Sequence, residues 1–269
     1  MDGQTVTVDY RFAEERYERL PNLAEDLVRV GVDVIFATTG VAAAAAQQAT
    51  QKIPIVFNGV ADPVASRFAA SLGRPGGNMT GFTHPGPQTT GKLLGFLTEA
   101  VPKLARVAVL RNPTASPSHP LHVAGAEKAA HTLRLRSQVF DAGGGQDFDR
   151  VFVAITRSRA QGILVLPDSM FYIQREKLAE LALRHRLPMI ANRAEFARSG
   201  ALMAFGSILS AEWRRVGALV ARILDGARPG AIPIEEPSRL ELVINLKTAK
   251  ALGLTIPPSL LQRADQVIE

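Results

Sequence analysis

The chain has 269 residues, 46% hydrophobic and 21% charged, with a formal net charge of +6. No window approaches the run of about 18 uninterrupted apolar residues that a membrane span needs, and "MDGQTVTVDYRF" has no basic segment leading into an apolar one, so no signal peptide is read in this chain. Cysteine is absent, which excludes disulfides, thiolate metal sites and a cysteine nucleophile.

The basic balance invites a nucleic-acid reading, but the arginines are spread along the chain and no aromatic residues interleave with them as a stacking platform. Solvated helix faces are the expectation, with no nucleic-acid partner.

Apolar runs alternate with helical patterns from end to end. "TVTVDYRF" (5–12) alternates like a strand. "LPNLAEDLVRVG" (20–31) predicts a helix with Leu20, Leu23, Leu27 and Val30 on one face and Gly31 as its stop. "VDVIFAT" (32–38) is apolar on both faces, as a strand of a parallel sheet must be. "GVAAAAAQQATQ" predicts a helix, "IPIVFN" (53–58) a strand and "DPVASRFAASLG" a helix with Asp62 as N-cap and Pro63 in its first turn. A short strand is expected near 79–83, then a helix in "TTGKLLGFLTEAVP".

A second series begins at "RVAVLRNP" (106–113). "LHVAGAEKAAHTLRL" predicts a helix, "RSQVFDA" a strand and "DFDRVFVAITRSR" a helix. "GILVLPD" (162–168), "REKLAELALRHR", "LPMIAN" (187–192), "RAEFARSG" and "LMAFG" continue the alternation. A long helix in "AEWRRVGALVARILDG", a Pro-rich loop at 229–237, "RLELVINLKTAKALGL" and a polar end close the chain.

Repeated strand–helix units predict an α/β protein with parallel sheets. The segment "VDVIFATTG…IPIVFNGVADP" has an echo in "QGILVLPDSM…LPMIANRAEF": strand, polar tip, helix, strand led by X-Pro, amide tip, helix. Two similar half-chains point to two lobes of like architecture.

In open parallel sheets ligands bind beyond the carboxyl ends of the strands. The candidate ligand-binding set is therefore Thr38, Thr39, Asn58, Asp62 and Thr80 from the first series, and Asn112, Asp168, Asn192 and Arg193 from the second, with Gly206 beside them. Helix N-termini behind Thr38-Thr39 and Asp62 suit a carboxylate, and Asp62 or Asp168 can hold an ammonium. Such a set fits a small zwitterion or polar solute. Each member also has a plain structural reading: Asp62, Asp168 and the threonine pair as helix caps, Asn58 and Asn192 as turn residues, and Arg193 as a surface arginine.

Groups for catalysis are missing. The phosphate-binding glycine loop and the nucleophile elbow are absent, "GGG" at 143–145 lacks the spacing of a dinucleotide fingerprint, and the five histidines are scattered. No catalytic residue, metal or cofactor is assigned, and the chain is read as a non-enzyme. Phe57, Phe82, Phe171 and Phe205 lie near strand ends, where core packing is the first expectation and a pocket lining the second.

The runs "LVRVGVDVIFATTGVAAAAAQQATQKIPIVFNGVADPVASRFAASLGRPGGNMTGFT", "LLGFLTEAVPKLARVAVLRNP" and "PSRLELVINLKTAKALGLTIPPSLLQRADQVIE" resemble the substrate-binding proteins of the bacterial ABC importer family that includes tryptophan-binding lipoproteins. The resemblance covers essentially the whole chain. It implies a type I periplasmic-binding-protein fold: two Rossmann-like lobes with parallel sheets, a hinge of three crossovers and an inter-lobe cleft. It also implies capture of a small solute, aromatic amino acids in the better known relatives, delivery to a membrane permease, and a periplasmic or extracytoplasmic location. Carried over by position, Thr38-Thr39, Asn58 to Asp62, Asn112 and Asp168 match the family's polar tips.

The domains expected are an N-lobe over 1–102, a C-lobe over 103–206, and a crossover helix with a C-terminal segment over 207–269 that returns to the N-lobe. Family members carry a first strand and helix before the segment that resembles "DGQTVTVDYRF", so the N-lobe is expected to lack its first βα unit. An exposed N-lobe strand is then a place for pairing with another chain. Two alternatives stay open at this point: the effector-binding core of a transcription regulator that shares the fold, and a truncated, nonfunctional fragment of a binding protein.

Overall fold

The computed structural model describes residues 6–14, 16–84, 86–113, 119–237 and 239–269. The chain divides into two units, Met1–Thr83 with Arg215–Glu235, and His84–Arg214 with Glu236–Glu269.

The first unit is a small parallel sheet. Helix α1 (Leu20–Val30) ends where Gly31 takes the left-handed conformation, φ 79°. Strand β1 (Ile35–Ala37), helix α2 (Gly40–Ala49), strand β2 (Ile55–Val60) and strand β3 (Met79–Thr83) follow. The sheet order is β1-β2-β3, parallel throughout, with Ile35 opposite Ile55 and Ile55 opposite Met79. On α1 the core side is Ala24, Leu27 and Val28, while Val30, expected on the apolar face, is 53% exposed.

Two expected elements of this unit are corrected. Of the segment 5–12, residues 6–12 are described; Val6 makes an isolated bridge and 7–12 form no strand. Its alternation is real, but Val6, Val8, Tyr10 and Phe12 face outward, with Tyr10 stacked on Phe12, and Arg11 ties the segment to Asp26 of α1 at 2.5 Å. The predicted helix from Asp62 is a turn at 63–67. Arg67 adopts φ 59°, and Phe68 then drops into the core, 6.0 Å from the Phe57 ring. Burying that phenylalanine ends the helix after one turn.

The second unit carries helix α3 (Pro87–Ala100), strand β4 (Arg106–Arg111), helix α4 (His119–Thr132), strand β5 (Arg136–Asp141) and helix α5 (Phe148–Arg157). Strand β6 (Ile163–Val165), helices α6 (Ser169–Ile173) and α7 (Arg175–Arg184), strand β7 (Met189–Ala191), helix α8 (Ala194–Arg198), strand β8 (Met203–Ser207) and helix α9 (Leu209–Leu224) continue it. Strand β9 (Leu240–Asn245), helix α10 (Leu246–Leu252), helix α11 (Pro258–Leu261) and strand β10 (Gln266–Ile268) complete the chain.

The sheet order is β10-β9-β8-β7-β6-β4-β5, with every pair parallel except β8 and β9. Period-2 alternation divides its side chains between two cores. Val107 and Val109 of β4 meet Leu94 and Leu97 of α3, while Ala108 and Leu110 meet Phe152 of α5 and Leu178 of α7.

The expected boundaries 1–102, 103–206 and 207–269 are corrected accordingly. Helix α3 buries its leucines on β4 and so belongs to the second unit, not to an N-lobe ending at 102. Strands β9 and β10 extend the second sheet from β8, so only 215–235 of the tail returns to the first unit. The chain crosses between units at 83/84, inside α9 at 214/215, and at 235/236.

The second half of α9 covers one face of the small sheet. Val216, Leu219 and Ile223 recur at helical spacing and pack on Val56 and Phe82. Leu219 is 3% exposed. Leu219→Ala should therefore destabilise the protein by about 2–5 kcal/mol in a urea melt; a loss below about 0.5 kcal/mol would mean that α9 is peripheral to the first unit.

Candidate ligand site

Strands β4, β6, β7 and β8 are neighbours in one sheet and run parallel, so their carboxyl ends lie side by side. At about 4.8 Å between strands, four adjacent tips span about 14 Å, the length of a small solute. The residues just past those tips include Asn112, Asp168, Asn192 with Arg193, and Ser207 at the end of β8.

Each is anchored. Asp168 is the N-cap of α6: its Oδ1 accepts from the backbone N–H groups of Met170 (2.9 Å) and Phe171 (3.1 Å). Its Oδ2 faces Asn112 Nδ2 at 3.4 Å, and Asn112 is 1% exposed. Asn192 Nδ2 donates to His84 Nε2 at 2.8 Å. Arg193 reaches Glu212 of α9 at 3.4 Å, with the two side chains 14% and 8% exposed. Against the surface-arginine reading, Arg193 is largely buried, and Glu212 is the only hydrogen-bonded partner of its side chain among the described residues. A guanidinium has five N–H donors, so most of them are left for another acceptor.

Beside this row, Tyr172 of α6 lies in a charged neighbourhood. Burial pushes its phenol above the ordinary value, Glu195 adds to the effect, and Arg175, Arg193 and Arg198 oppose it. Ser207 Oγ is buried with no hydrogen-bond partner among the described residues, a further polar group at the end of β8.

In the first unit the polar tips are Thr38, Thr39, Asn58 and Asp62. Thr38 is exposed at the end of β1. Thr39 is the N-cap of α2, its Oγ1 accepting from Ala42 N–H at 3.2 Å. Asn58 is buried within β2, beside the register shift at Asn58/Val60, where Gly59 takes φ 82°. Asp62 caps its turn through Val64 and Ala65 N–H at 3.1 and 2.9 Å.

Thr80 leaves the candidate set. It is fully buried, and its Oγ1 donates to the Ile232 carbonyl at 2.9 Å, a bond that ties β3 to the returning segment. Phe57, Phe82 and Phe171 are core residues, and Phe205 packs edge-on against Phe96 at 5.0 Å.

Sequence reasoning did not single out His84, Thr90, Ser207 or Glu212. His84 follows β3 directly, a strand-tip position like the others, and that placement was the available signal.

The sequence profile of the family described as ABC transporter substrate binding protein matches residues 1–268. The chain belongs to that family. It is thus a substrate-binding component of an ABC transporter, from a family that works outside the cytoplasm with a small-molecule ligand and a permease partner. It is similar to a tyrosine-binding protein of Clostridioides difficile (strain R20291), 24% identical over 253 residues, which is 94% of this chain and 72% of that protein.

Among solved structures it resembles a conserved domain protein from Vibrio cholerae, with a TM-score of 0.91 and 25% identity over 99% of this chain and 88% of the other. It also shares the fold of the ABC domain in complex with L-Trp from Streptococcus pneumonia, with a TM-score of 0.91 and 22% identity over 99% and 89%. No helix among the described residues is long and apolar enough to cross a membrane.

The row of tips depends on close approach of β8 to β7. A Cβ added at Gly206 would stand 1.6 Å from the Asn192 carbonyl oxygen. Gly206→Ala should force the strands apart and lower stability by about 2 kcal/mol or more in a urea melt. A melt matching the wild type would show that β7 and β8 can separate without loss.

Proposed function

We propose that this protein captures an aromatic amino acid without chemical turnover, and that the strand tips of the second unit hold its zwitterionic end. The family match over residues 1–268 carries this reading. It is supported by the C. difficile relative named for tyrosine binding and by opposite charges on adjacent tips, Asp168 after β6 and Arg193 after β7.

A zwitterion needs both signs close together. The Arg193 guanidinium, with donors to spare, pairs with the ligand carboxylate in a charge-assisted contact. Asp168 is held in one orientation by two backbone N–H groups, and its charge faces the ammonium. Asn112 and Asn192 complete the proposed ligand-contacting set of the second unit. The partner in transport is the permease of an ABC importer, and the location is periplasmic or otherwise extracytoplasmic.

A thermal-shift series with L-tyrosine and L-tryptophan tests the reading, because a ligand that binds only the folded state raises the melting temperature. Calorimetry on Asp168→Asn is the sharper experiment. Asparagine caps helices as well as aspartate does, so the fold is kept while the charge is removed. The expected result is a loss of about 10- to 100-fold in affinity, the worth of a hydrogen bond to a charged group. Unchanged affinity in both Asp168→Asn and Arg193→Gln would remove these tips from the site.

A further inference from the structure

We infer that His84 is a positioning residue that fixes the amide of Asn192 so that its oxygen, not its nitrogen, faces the ligand, making the site selective for a ligand with an amino group. The inference rests on the proposed placement of Asn192 in the ligand site.

An asparagine amide offers two donors on one side and an acceptor on the other, and a flip exchanges them. Here the Nδ2 lies 2.8 Å from His84 Nε2, and both residues are buried. An amide nitrogen can only donate, so Nε2 is the acceptor and the imidazole carries its proton on Nδ1. With Nδ2 so engaged, Oδ1 is the group left over, and among the described residues it has no hydrogen-bond partner.

The backbone of Asn192 is clamped from the other side. Gly206 of β8 lies so close to its carbonyl that no side chain fits between them. The His84 ring is braced in turn by the edge of His122 of α4, with ring centroids 6.2 Å apart at 80°. His122 Nδ1 lies 3.3 Å from Thr90 Oγ1 of α3. Thr90 of α3 therefore holds His122 of α4, His122 braces the His84 ring, and that ring holds one amide.

An acceptor fixed in this way recognises a donor. Next to Arg193, which takes the carboxylate, the donor is the ligand's α-ammonium. A ligand without that amine leaves a buried acceptor unmatched and is rejected.

The experiment is calorimetry with L-tyrosine and its des-amino analogue on the wild type, Asn192→Ala, His84→Leu and His84→Gln, each first checked for a cooperative melt. The wild type should prefer tyrosine by about tenfold or more, and Asn192→Ala should weaken tyrosine binding. His84→Leu should lower the preference for the amine by about fivefold, because nothing then stops Asn192 from flipping.

His84→Gln places an amide oxygen where Nε2 accepted and should restore the preference, which a loss of packing alone would not do. Should His84→Leu fail to melt cooperatively, the decision passes to His84→Gln against Asn192→Ala: retained preference in the first and lost preference in the second supports the inference. Tyrosine binding that is weakened by Asn192→Ala, with an amine preference the same in His84→Leu as in the wild type, overturns the role of His84 and leaves the site intact. Tyrosine binding unaffected by Asn192→Ala, or absent from the wild type, overturns the site reading and the inference with it.

Discussion

Parallel pairing is the constraint on which the rest depends. Once β4, β6, β7 and β8 run the same way, all their carboxyl ends must emerge along one edge of the sheet. The middles of β4, β6, β7 and β8 are largely buried on both faces, so polarity can return only at the tip. The amides, carboxylate and guanidinium at those tips are therefore brought together by backbone direction, before any side-chain contact is made. The antiparallel step between β8 and β9 closes the row, since β9 sends its carboxyl end the other way.

The tips are held as well as gathered. Asp168 is fixed by two backbone N–H groups, Asn192 by His84, and Arg193 by Glu212. Groups ordered before a ligand arrives lose less entropy when it binds. The same groups in water-exposed loops would pay that cost at each encounter. The buried Arg193–Glu212 pair also lets a cation sit at 14% exposure without an unmatched charge beneath it.

Much of this was legible in the sequence. Hydrophobic runs located the strands of both sheets apart from β9 and β10, and Gly31 marked the end of α1. The echo between the two half-chains holds as far as the amides, Asn58 in the last half of the first X-Pro strand and Asn192 just after the second. It fails one step later. After Asn192 the chain enters α8, whereas after Asp62 it makes a single turn, because Phe68 is pulled into the core against Phe57. Residues 6–12 alternate as a strand does, yet alternation records only that two faces differ, not that a neighbour exists to pair with them.

What the sequence by itself determined is local: where strands and helices form, which strand ends turn polar, and that no membrane-spanning run interrupts them. Only the tertiary structure decided the partner of each polar tip. His84 meets Asn192 across 108 positions of chain, and Thr80 is withdrawn into the core by a carbonyl 152 positions away. Periodicity is a property of neighbours a few residues apart, and it carries no record of such distant pairings. They follow from strand order and from the chain's three crossings between units, which exist only once the sheets have formed.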